Sequence, residues 1–534
     1  MKKIYFTLII LLLAMAGMAY LYFSRLNREN SYNEVSLYAA TANSGLVFCV
    51  HNDKGVFDIL KGQDLFQRLI GEDKSAQFSL LKNAVISNPS VNKLIANRNI
   101  FISFSAGKNK TIDYLICTQL NNEQDKPALI NTLISNGFKA SNDSGLIKLT
   151  IKDSISFYLG MEKNLVLLSG SAAAVRSALT ASPSKSTKEF IAYIKLNNKL
   201  SQNSAGNIFI DFNKIPALMR SVLPGVLNGS LAMLEHQDSF AALNYNFSTE
   251  RLFFTGNTRL NDTSNYLSLF AGLTPEKNSI DNMLPQNTAN YRLFSIPDYK
   301  SWRTLLNTWF KQHREDTEVK KIIAHTDQLY HLNAEEIFPQ YFKDQLISFQ
   351  LKSAENMGAV NLTNGDKVKQ LLIDISEDYD QDIKKFKLSG LLYAYFGEPF
   401  KKFSSPYYTI IDNYMVFANQ PRSLQVFLSA YRNNKLLINT PDYISLYAQI
   451  SNSASVTFYV NHDNSSDLVR NNIYTGYYKH FLSDKGLGKF SSLIYQLNGD
   501  KGSYQTNLLI NTSAEINKEN IIDTIPGVLP VKPL

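Results

Sequence analysis

Ser171 stands in the run LSGSA, where strand-forming residues give way to helix-forming ones. A serine nucleophile on a strand-to-helix elbow follows the pattern G-x-S-x-G, because both flanking positions must tolerate a strained turn. Here those positions hold Ser169 and Ala173, so Ser171 reads as a helix cap. A counterpart turn, Asn419-Gln420-Pro421, offers neither Ser nor Cys; its Pro suits a first helical turn and the residues before it a cap. The run Asp378-Tyr379-Asp380-Gln381-Asp382 opens like a calcium loop, D-x-D-x-D. Such a loop continues with Gly for its sharp turn and ends on a bidentate Glu. This chain has Ile383 and Ser389 there, with Lys384 and Lys385 beside the ion's place, and the run reads as an acidic solvated turn.

The remaining candidates fail on spacing. His325 and His331 are the closest of the 7 histidines, and their separation puts them on different faces of a helix. No H-E-x-x-H occurs, and two distant cysteines make no zinc knuckle. Gly107-Lys108 lacks the earlier glycine of a phosphate loop, where Ile102 stands, and is followed by Asn109 rather than Ser or Thr. Tyr474, Tyr477 and Tyr478 have the chemistry of a sugar-stacking surface, but aromatic packing is the preferred reading. Trp302 and Trp309 fall on one helix face and read as core. No catalytic residue, cofactor site or metal ligand is assigned, and the chain is read as a non-enzyme.

The elements that would position such residues come in a repeated order. Residues 157–179 read as strand, tight turn, strand and helix, and residues 407–428 read the same way. Phe157 to Tyr407 is 407 − 157 = 250 residues, and Ile208 to Phe458 is 458 − 208 = 250. NIFISFS is answered by QLISFQL, and LVFCVH by YRLFSI. Short alternating runs bounded by turn residues are hairpin strands. The expected fold is α+β: two homologous halves of antiparallel sheet with packed helices, 44–260 and 288–512. A polar linker at 261–287 joins them, and a tail with several prolines occupies 513–534.

Composition supplies the address. Hydrophobic residues are 44% and charged ones 19% of the chain, enough apolar material for a real core. The net charge of +8 is spread out instead of gathered among aromatics, which argues against a nucleic-acid partner. Lys2 and Lys3 precede an uncharged apolar run to Ser24, the length of a membrane-spanning helix. The expectation is an uncleaved anchor at 1–24, a spacer at 25–43, and a body exported from the inner membrane to the periplasm. The rival is a signal peptide cut after Ala14-Met15-Ala16. Partners would be the membrane, through that helix, and a protein or other envelope component. Cys49 and Cys117 lie in strand-like runs, either bridged between neighbouring strands or, on the simpler reading, buried as free thiols.

The stretches 412–428, 440–447 and 455–461, with weaker echoes in the first half, resemble the bacterial domain-of-unknown-function 3352 family. The carriers are a hairpin ending NYMVFAN, a P-D-Y before a helix, and the strand VTFYVN. The resemblance implies an exported, membrane-anchored α+β envelope protein and brings no catalytic residues. On the residues alone, the leading function is a tethered scaffold or binding module. The alternatives are an exported hydrolase with a site assembled from distant residues, and a carrier for a hydrophobic ligand.

Overall fold

The computed structural model describes residues 34–51, 80, 88–96, 98–108, 110–151, 155–182, 184–198, 206–224, 237–246, 251–330 and 340–512. The expected anchor, His331 and the tail lie outside the described residues. Among those described, no helix is long and apolar enough to cross a membrane.

The first strands are β1 (Leu46–His51), β2 (Asn99–Ala106), β3 (Ile112–Gln119), β4 (Lys139–Asp143), β5 (Leu146–Ile151), β6 (Ile155–Glu162), β7 (Leu165–Ser169), β8 (Asn207–Asp211), β9 (Ser239–Asn246) and β10 (Arg251–Leu260). After the short β11 (Glu276–Lys277) come β12 (Thr288–Ser295), β13 (Phe342–Leu351), β14 (Asn356–Leu362), β15 (Ser376–Asp378), β16 (Lys384–Phe386), β17 (Tyr407–Ile411) and β18 (Tyr414–Ala418). The last strands described are β19 (Ser453–Ala454), β20 (Val456–Asn461), β21 (Phe490–Asp500) and β22 (Ser503–Thr512). All but β11 and β19, which pair with each other, join one 20-stranded sheet.

Every pairing in that sheet is antiparallel. β10 and β22 meet at its centre, from Arg251↔Asn511 to Arg259↔Ser503. Outward from β10 the order is β9, β8, β1, β2, β3, β7, β6, β5, β4. Outward from β22 it is β21, β20, β12, β13, β14, β18, β17, β16, β15. The expected α+β class is therefore seen, as a large antiparallel sheet with packed helices.

Helices cover both faces, which explains why strands such as LVFCVH and YMVFA are apolar throughout instead of alternating. An antiparallel sheet with one wet face would alternate apolar and polar residues. Over β12–β14 and β18, one face packs Phe294, Leu346, Val360 and Phe417 under helices Tyr299–Gln312, Asp316–Tyr330 and Leu391–Phe396. The opposite face packs Tyr291, Leu293, Ile347 and Val416 under helices Pro421–Arg432 and Pro441–Tyr447. Trp302 and Trp309 are buried on the first of these faces, as their helical spacing requires.

Cys49 and Cys117 are buried free thiols. The register places Phe101 between them, opposite Cys49 on one side and Cys117 on the other. Two strand spacings put the thiols' backbones about 10 Å apart, beyond the ~7 Å that a disulfide can bridge.

Two expectations need correction. The part of the spacer that the structure describes does not stand off the body. Glu34–Thr41 is a helix with Leu37, Ala39 and Ala40 in the core, fixed by a Ser36 Oγ bond to Gln119 Oε1 (3.3 Å). The stretch 261–287 does connect the two sets of strands, but as a packed element. Tyr266, Leu267 and Phe270 enter the core on one face of the β12–β14 region, and Ile280, Met283 and Leu284 on the other. Its many polar residues cap and turn the chain between these apolar anchors; Asn265, for instance, accepts from Leu267 N at 2.8 Å.

Candidate functional site

The residues singled out from sequence are dispersed and occupied. Ser171 caps helix Ala172–Thr180, accepting from Ala174 N at 3.4 Å, while Ser169 Oγ donates to Tyr114 O at 2.6 Å. In the counterpart turn Gln420 takes the cap position without a side-chain bond, and Asn419 Nδ2 donates instead to Lys402 O (3.0 Å). The acidic run is spent on local contacts: Asp378 pairs with Lys384, and Asp382 with Arg432 at 2.8 Å. Asp380 Oδ1 accepts from the backbone N–H groups of Asp382 and Ile383; what burial it has raises its pKa, but these bonds and one from Gln425 outweigh that and hold the carboxyl below the ordinary carboxylate pKa. Among the described residues no three His, Cys, Asp or Glu side chains are arranged to hold a metal ion. Gly107 closes the β2–β3 turn, its N–H donating to Thr111 O at 2.7 Å. The tyrosines near 474 pack on that same turn. Lys110 Nζ sits 4.4 Å from the Tyr474 ring centre, and Tyr477 Oη donates to Lys110 O at 3.3 Å.

Sequence reasoning missed two buried polar clusters. Asp281, 3% exposed, lies between strand β12 and helix Pro441–Tyr447. Its Oδ2 accepts from Tyr443 Oη and Tyr447 Oη, each at 2.9 Å. Tyr291 Oη meets both phenols, at 2.9 and 3.0 Å. Burial pushes the Asp281 carboxyl above the ordinary carboxylate value, and the two phenol bonds oppose that shift. The signal was present in PDYISLY, whose tyrosines are four apart and so share one helix face. With the carboxylate sealed from solvent and held by phenols, the cluster joins elements and has no access for a substrate.

The second cluster centres on Arg292, 4% exposed on β12. Its Nε donates to Ser348 Oγ at 3.2 Å, and Glu398 Oε2 lies 3.7 Å from its Nη1. Lys402 donates to Asn356 Oδ1 at 2.7 Å. Protein crowding its ammonium, and then repulsion from Arg292, lower that lysine to about 8. The register puts Arg292, Ser348 and Gly358 in one row across β12, β13 and β14. The matching row across β1, β2 and β3 is Phe48, Ile102 and Ile116.

An open groove of about 500 Å³ runs along the outer face of helix Pro421–Arg432. Arg422, Gln425, Val426 and Ser429 form its helical wall, and Gln286, Asn287 and Lys435 the facing wall. Backbone bonds fix the facing wall: Gln286 N donates to Lys435 O at 3.0 Å, and, behind it, Leu437 N to Leu284 O at 2.8 Å. Asn464 Nδ2 pins Gln286 O at 2.9 Å, and Lys352 N pins Asn287 O at 2.9 Å. Main-chain groups are thereby satisfied, and the amide and cationic side chains face solvent. The inward residues of the helix, Leu424, Phe427 and Leu428, are buried, so the wall cannot turn without unpacking the core.

Comparison of the chain with known protein families, with curated proteins and with solved structures finds no match.

Proposed function

We propose that this protein is a membrane-anchored, exported envelope protein that works by binding rather than by catalysis. The observation that carries the reading is the open, rigidly walled groove on helix Pro421–Arg432, with solvent-facing amides and cations. The anchor rests on the uncharged apolar run between Lys3 and Arg25. The resemblance to the domain-of-unknown-function 3352 family belongs to the same proposal and agrees in placing the body outside the inner membrane.

The reading includes two homologous halves. Its support is the shared strand order on either side of the β10–β22 seam and the registers within it. Gly256 pairs with Leu243, and Leu508 with Tyr495; 508 − 256 = 252 and 495 − 243 = 252. Across the seam Thr255 pairs with Asn507, and 507 − 255 is again 252, as a local two-fold axis through that pair requires. The tight turns agree as well: the first turn residue of β6–β7, Lys163, has φ 48°, and that of β17–β18, Asp412, has φ 50°.

The test uses the full chain in its native envelope. Cross-linking is expected to give discrete adducts, and a panel of peptidoglycan, ester and phosphate substrates to give no turnover. Hydrolysis that disappears on one point substitution would overturn the reading.

A further inference from the structure

We propose that the groove beside helix Pro421–Arg432 takes an extended acidic peptide, an assignment that rests on the binding-module reading above. The corresponding place among β1–β10 is closed. The register equates Phe48 with Arg292, each facing its neighbouring strand at Ile208 and Phe458, an offset of 292 − 48 = 244. It also equates Leu168 with Phe417, opposite Leu159 and Tyr408, an offset of 417 − 168 = 249. Extended past the paired strand ends, and past the bulge of β12 between Thr288 and Asn290, these offsets set Asn43 against Asn287 and Ser177 against Val426. Asn43 Nδ2 donates directly to Ser177 Oγ at 2.8 Å and shuts the space between helix and strand lead-in. Asn287 and Val426 instead both line the open groove. The helix is otherwise used alike in both places: Arg176 reaches Asp143 O at 3.3 Å, and its equivalent Gln425 reaches Asp380 Oδ2 at 3.3 Å.

The charge of the groove favours an anionic ligand. Arg422 and Lys435 are the charged residues of the lining, both exposed, and no carboxylate among the described residues pairs with either. The nearby Arg432, off the groove, is by contrast taken by Asp382. Polar side chains suited to a peptide lie between the cations. The Gln286 and Asn287 amides each donate and accept, matching the alternating groups of a peptide main chain, while Gln425, whose Nε2 already donates to Asp380, adds its carbonyl as an acceptor. Val426 and Ala430 give a small apolar strip. Among the described residues no aromatic ring lines the groove, so a sugar would lack a stacking platform. The helix rises about 12 Å from Arg422 to Ala430, which an extended peptide covers in about four residues. The fitting ligand carries carboxylates about four residues apart with small side chains between them.

The experiment is fluorescence anisotropy on the full chain in detergent micelles. The probes are a fluorescein-labelled peptide with two glutamates separated by three alanines, its glutamine twin, and an oligogalacturonate as an acidic glycan. The acidic peptide is expected to bind and to weaken as salt rises. The glutamine twin and the double variant R422E/K435E should each bind at least about ten-fold more weakly, the equivalent of about 1.4 kcal/mol. V426W should block the groove without changing charge, and K320E, on another helix, should bind as the parent does. Equal binding by the glutamine twin, an unchanged R422E/K435E, tighter binding of the oligogalacturonate, or no binding at millimolar peptide would each overturn the proposal. If envelope cross-linking adducts persist unchanged in R422E/K435E, the groove assignment alone falls. If the parent chain gives no adducts, the binding-module reading falls with it.

Discussion

Asp281 sets the sharpest constraint on a single residue. Its folded-state carboxyl is held above the ordinary value, first by burial, with Tyr447 and Tyr443 opposing. The folded state therefore holds the proton more tightly than the unfolded chain does. The stability this contributes is full below the ordinary carboxylate pKa of about 4, and is lost as pH rises through the raised folded value. Asp281→Asn keeps an acceptor for the phenols and removes the charge. Urea midpoints between about pH 4 and pH 7 should fall with rising pH less steeply in the variant than in the parent. Asp211, also raised and left in place, keeps the remaining slope from vanishing. Identical slopes would contradict the assignment. At this scale the sequence was readable where the signal is local: a serine after a strand and before an alanine-rich run is a cap. It was not readable for Asp281, whose three phenol neighbours come from positions 291, 443 and 447.

At the scale of elements, Gly256 shows how tightly the centre of the sheet is drawn. A Cβ there would lie 2.0 Å from Ala242 O, in the backbone of the neighbouring strand β9. Gly256→Ala is expected to cost about 1–3 kcal/mol, the usual range for overpacking, read as a lower urea midpoint. An unchanged midpoint would mean that β9 and β10 separate easily. Most strands were legible because short apolar runs between turn residues have few alternatives. Strand β4, KASND, was not, since as an exposed edge strand it buries almost nothing. Helix Glu34–Thr41 was hidden for another reason: Ser36 and Thr41 are polar yet fully buried, satisfied by Gln119 Oε1 and Leu37 O. Periodicity cannot see a partner 83 residues away.

At the scale of the molecule, the β10–β22 seam joins both strand sets. A core cluster crosses it, with Leu243, Tyr245 and Phe254 from one side meeting Phe490, Leu508 and Ile510 from the other. The two strand sets should therefore unfold together. Both tryptophans of the chain, Trp302 and Trp309, lie beyond the seam from β1–β10. Tryptophan fluorescence thus reports one set, while far-ultraviolet circular dichroism reports all strands. Coincident thermal transitions by the two probes are expected, the usual sign of one cooperative unit; a separate dichroism transition would show that the seam is weak. The strands of each set, and their antiparallel hairpins, were legible from spacing and turn residues. The joining of both sets into one sheet was not, because seam pairing is fixed by contacts about 250 residues apart, as between Thr258 and Thr506 (248 residues).

The central claim is that binding is done where one strand set leaves open a space that the other closes. A photoreactive phenylalanine placed in the full chain at Val426, and separately at Ser177, tests it in the native envelope. The account predicts a discrete cross-linked adduct from position 426 and none from position 177. Equal adducts from both positions, or none from 426, would contradict it.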